Sequence, residues 1–77
     1  MRIQLDNREK QLINKYWFEA SKDMRAQLLN MRRKTIDIKY EELKNLVGYL
    51  AATFNHCSNK KLAAELDDLC DRLEGEL

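Results

Sequence analysis

The chain has 77 residues, 44% of them hydrophobic and 35% charged, with two glycines and no proline. That composition excludes a disordered tail, a β-sandwich punctuated by Gly and Pro, and a disulfide scaffold, and it predicts one small helix-rich domain over residues 1–77. Fourteen Lys and Arg against thirteen Asp and Glu leave a net charge of +1, which argues against both an acidic nucleic-acid mimic and a strongly basic nucleic-acid binder.

In chain order, Arg2-Ile3-Gln4-Leu5 alternates polar and apolar residues, a pattern that fits a very short strand or an extended lead-in to a helix. Asp6-Asn7-Arg8-Glu9 reads as a capping box, so a helix is expected to begin near Asn7. Steps of 100° then place Ile13, Trp17, Ala20, Met24, Leu28 and Met31 on one face, widened by Leu12 and Tyr16. No Gly or Pro interrupts residues 7–34, and an unbroken helix of about 42 Å follows from 1.5 Å per residue. Ser21 or Asp23 offers an alternative cap for a second, shorter helix.

Alternation returns at Ile36, Ile38 and Tyr40, marking residues 36–39 as a second very short strand or lead-in. From Glu41 to about Asn55, Leu43, Val47, Leu50 and Phe54 recur at helical spacing, with Leu46 and Ala51 broadening the face. Gly48 within that helix costs about 1 kcal/mol against alanine and suggests close helix packing. His56-Cys57-Ser58-Asn59 is the turn, with Ser58 or Asn59 as the next cap. A third helix from Lys60 to about Glu74 carries Leu62, Leu66, Leu69 and Leu73. The expected fold is therefore mainly α, with a long N-terminal helix packed on an antiparallel helical hairpin and very short strands at 2–5 and 36–39.

Hairpin helices of about 22 to 26 Å cover little more than half of a 42 Å stripe, and uncovered apolar surface on a small protein marks an interface. An antiparallel homodimer would cover it and bring Ile3 to Ile36 of a second copy. Breaking the first helix near Ser21 is the competing solution, because it lets residues 2–5 pair with 36–39 inside one molecule. The unbroken phase favours the dimer.

Charge is unevenly spread: residues 1–34 carry nine basic and four acidic side chains, residues 60–77 three and six. Opposite the apolar face of the first helix, Phe18, Lys22, Arg25, Leu29 and Arg32 recur at spacings of four and three, a second stripe of two large apolar residues among three cations. This stripe is the candidate partner-binding site of a non-enzymatic helical protein–protein interaction module. The plainer alternative is that Phe18 and Leu29 touch another part of the fold. A nucleic-acid reading would use Arg25 and Arg32 with phosphate contacts from Arg33 and Lys34, and a third reading makes the chain a purely structural self-associating subunit.

Catalytic and metal patterns are missing. His56, Cys57 and Cys70 lack the paired spacing and fourth ligand that zinc favours. Glu41-Glu42 and Asp67-Asp68 belong to solvated helix faces, where nothing raises a carboxylate towards acid catalysis. The expectation is no enzyme activity, cofactor or metal. With no apolar leader or membrane-length run, and with an acidic polar face on the third helix, the chain is expected to be cytoplasmic and not membrane-bound.

Ile3, Leu5, Glu9, Leu12 and Ile13, together with the Leu-rich acidic ending, give a pattern that resembles uncharacterised short helical proteins of Gram-positive bacteria and their phages. The resemblance carries no specific site residues. It implies a small accessory factor that binds and modulates a larger machine.

Overall fold

In the computed structural model, which describes all 77 residues, the chain runs β1 (Arg2–Gln4), α1 (Asn7–Tyr16), α2 (Lys22–Leu29), β2 (Thr35–Asp37), α3 (Tyr40–Asn55) and α4 (Lys60–Glu74). The mainly helical class, the α3–α4 hairpin and the two short strands agree with the sequence reading. β1 and β2 pair antiparallel within the one chain, with Ile3 opposite Ile36. Alternation does what the pleat requires, since Ile3, Leu5, Ile36 and Ile38 turn into the core while Arg2, Gln4 and Asp37 face water.

The N-terminal helix is not continuous, which corrects the expected 42 Å rod; the longest dimension of the backbone is 30 Å. α1 stops at Tyr16 and α2 starts after Ser21, whose hydroxyl accepts the Met24 N–H at 3.1 Å. The break lets both helices turn one apolar face to the same core, so Ile13, Trp17, Met24 and Leu28 are all buried. Burial of that surface outweighs the few backbone hydrogen bonds lost at the corner, because each fully buried large apolar side chain contributes about 1.5–3 kcal/mol. Met31, expected on the stripe, lies in the turn after α2 and is 40% exposed. Trp17 is fully shielded by its own chain, its indole Nε1–H donating to Asn45 Oδ1 at 2.7 Å.

The starts of α1 and α4 follow the sequence signals, and α3 starts one residue before Glu41, at Tyr40. The Asp6 carboxylate accepts the Glu9 N–H at 2.8 Å and Glu9 accepts the Asp6 N–H at 2.9 Å, a complete capping box. Asn59 caps α4 through the Leu62 N–H at 3.1 Å. α3 and α4 enclose Leu43, Leu46, Leu50, Leu66, Leu69 and Leu73, and α1 packs on α2 and α3. Gly48 does not mark close packing: it is exposed, and a Cβ built on it meets nothing within 4 Å. Phe54, expected in the core, is 37% exposed near the end of α3.

Candidate docking surface

Breaking the first helix disperses the second stripe. Lys22 opens α2 and Leu29 closes it, both exposed, while Phe18 sits before the Ser21 cap and Arg32 lies in the turn beyond Leu29. Phe18 and Leu29 remain the two most exposed large apolar residues, at 73% and 61%. They stand at opposite ends of a helix of about 12 Å. Arg25 leaves the set, because its guanidinium turns inward and donates to the carbonyls of Asn14 at 2.7 Å and Trp17 at 2.8 Å. Those are carbonyls at the C-terminal end of α1 that the break leaves without helical partners. Arg33 pairs with Asp37 at 3.3 Å, while Lys34 is exposed and its backbone carbonyl accepts the Leu5 N–H at 2.8 Å.

A second cation completes the corner from the other side. Lys10 of α1 is fully buried, and its ammonium donates to the Asn30 carbonyl at 2.8 Å and to the Arg33 carbonyl, just past the end of α2. Burial pushes the Lys10 pKa below 10.5, and the charge of Arg33 adds to the effect. Sequence reasoning missed this residue although a signal was present. Lys10 precedes Ile13 by three and Trp17 by seven, so it is in phase with the apolar stripe.

Phe18 finds a new setting. Its ring stands edge-on to Tyr49 of α3, with centroids 6.2 Å apart and planes at 79°, a favoured aromatic geometry. The two rings rim an open, mainly apolar groove of about 600 Å³ floored by Tyr16, Ala52 and Leu62 and closed at one end by His56 and Cys57. Desolvation, reinforced by the Glu19 carboxylate beside it, raises the Tyr49 phenol above its ordinary 10.0. Tyr49 was missed because its position on α3 falls at the edge of the apolar face, and only the corner at Trp17 swings Phe18 towards it.

The Cys70 thiol is not activated. Cys70 is buried, donates weakly to the Val47 carbonyl at 3.7 Å, and is pushed above its ordinary 9.0 by burial and by the nearby charges of Glu74, Asp71 and Asp67. Cys57 sits half-buried in the α3–α4 turn, its sulfur 3.4 Å from the Asn59 carbonyl oxygen. No three His, Cys, Asp or Glu side chains converge on a metal-sized position, and no helix is long and apolar enough to cross a membrane. Comparison of the chain with protein-family models, curated proteins and solved structures returned no match.

Proposed function

We propose that this chain is a small non-enzymatic protein-binding module, an accessory or regulatory factor that docks on a larger protein through the groove at Phe18 and Tyr49. The observation that carries the reading is an aromatic side chain left 73% exposed at the mouth of an apolar groove. Aromatic anchors beside a concave apolar surface are the usual centre of binding energy in protein interfaces. Lys22, Leu29 and Arg32 are exposed but are not part of the groove lining, and Arg25 is turned inward onto the end of α1. The nucleic-acid reading has less behind it, since Arg33 is held by Asp37 and Arg25 by carbonyls, leaving Arg32 and Lys34 as exposed cations at that end. A self-associating subunit loses its premise, because β1 and β2 pair within one chain and Trp17 needs no second copy to cover it.

Photo-crosslinkers placed at Phe18 and, as a control, at Asp68 on the exposed face of α4 test the reading in producing cells. One protein is expected to crosslink from position 18 and not from 68. When that protein is purified, Phe18→Ala is expected to weaken its binding by about tenfold or more with unchanged helix content. Equal crosslinking from both positions, or binding indifferent to Phe18→Ala, removes the groove as the docking surface.

A further inference from the structure

The groove continues in a direction that specifies its occupant, and we infer that it receives an acidic amphipathic helix of the partner protein; this rests on the docking surface proposed above. The apolar groove runs into a second cleft of about 550 Å³ between α1 and the start of α4, and Tyr16, Asn59 and Leu62 line both. The floor of the second cleft is Leu12 and Leu62, and its walls carry Arg8, Lys15 and Lys61.

Charge decides the chemistry. The one carboxylate lining the cleft, Glu65, is already taken by the guanidinium of Arg8 through contacts of 2.7 and 3.1 Å. Lys15 and Lys61 are exposed and belong to none of the ion pairs. Lys15 lies 5.4 Å from the Tyr16 ring centre, at the junction with the apolar groove. An occupant thus meets an aromatic, mainly apolar groove at one end and, at the other, a more polar cleft with Leu12 and Leu62 in its lining and two exposed cations, Lys15 and Lys61, that hold no ion pair.

Shape narrows the form. Arg8, Leu12 and Lys15 mark one face of α1, and Lys61, Leu62 and Glu65 the facing turns of α4. Two helices bridged by the Arg8–Glu65 and Glu9–Arg72 ion pairs, the second at 2.6 Å, flank the cleft as a trough rather than a sheet edge. A trough of this kind accepts a helix whose apolar residues recur at i, i+3 or i+4, and i+7, with glutamates or aspartates on its flanks. Phosphate backbones are disfavoured by the Glu19 carboxylate beside Tyr49 and by the mainly apolar groove that Tyr49 rims.

A fluorescein-labelled peptide with leucines at that helical spacing and glutamates elsewhere is the probe, measured by fluorescence polarisation against the full chain. Binding is expected to exceed that of a scrambled peptide of the same composition and to weaken as salt rises from about 50 mM to about 300 mM. The double variant Lys15→Glu/Lys61→Glu is expected to lose about fivefold or more in affinity, and a peptide with lysine in place of glutamate is expected to regain binding to that variant. Both lysines are exposed, so circular dichroism of the variant should match the parent. Equal binding of the scrambled peptide, indifference to the charge reversal, no binding of the acidic peptide, or its displacement by duplex DNA overturns the inference. If the crosslinked partner loses affinity with Phe18→Ala but not with Lys15→Glu/Lys61→Glu, the acidic helix falls while the docking surface stands.

Discussion

Lys10 and Arg25 each reach from one helix of the N-terminal pair to the carbonyl end of the other. Helix ends expose carbonyls with no intrahelical partner, and buried ends need donors supplied from elsewhere. Desolvating an ammonium offsets part of the gain, which is why Lys10 releases its proton more readily when folded than the ordinary lysine at 10.5. Removing the donor leaves the Arg33 carbonyl unanswered and the Asn30 carbonyl with the Arg33 N–H at 3.3 Å. Lys10→Met keeps the side-chain length but deletes both hydrogen bonds, and is expected to lower stability by about 1–3 kcal/mol. Urea unfolding should show this as a lower midpoint with an unchanged slope. Phe18 and Leu29 were legible in the sequence as unusual exposed apolar residues. The inward turn of Arg25 was not, because its carbonyl partners exist only once the helix has broken.

Helical phase carried the first expectation and also misled it. Trp17, Met24 and Leu28 keep one rotational phase through a segment that is not helical, because α1 and α2 both face the core that α3 and α4 complete. A serine at position 21 suits either a helix interior or a cap, so local chemistry could not decide between rod and corner. Capping residues decided well where they stood outside any helix, at Asp6 and Asn59. Gly48 offers a test on α3. Its backbone is helical, its face is open, and nothing lies within 4 Å of an added methyl. Gly48→Ala is therefore expected to stabilise by about 0.5–1 kcal/mol, seen as a rise of a few degrees in the thermal midpoint.

The uneven charge of the chain is partly resolved inside the molecule. Arg8–Glu65 and Glu9–Arg72 join α1 to α4, and Arg2 and Arg33 both hold Asp37 beside the strand pair. These arginines keep Glu65 below its ordinary 4.5 and Asp37 below its ordinary 3.8. A carboxylate held low when folded takes up its proton at higher pH once unfolded. The pairs therefore stabilise above the ordinary values, and that contribution is lost as pH falls through the folded ones. The urea midpoint is expected to drop between about pH 6 and about pH 3, and Glu65→Gln to flatten part of that drop. An unchanged acid limb in Glu65→Gln would mean that this pair contributes nothing measurable.

Trp17 draws its cover and its only side-chain hydrogen-bond acceptor, Asn45, from the second half of the chain. During synthesis the indole leaves the ribosome well before that acceptor does. β1, α1, α2 and β2 by themselves lack Leu43, Leu46 and Leu50, which complete the core in the finished fold. A released chain truncated before α3 would thus present its largest apolar ring to chaperones, and only the later helices withdraw it.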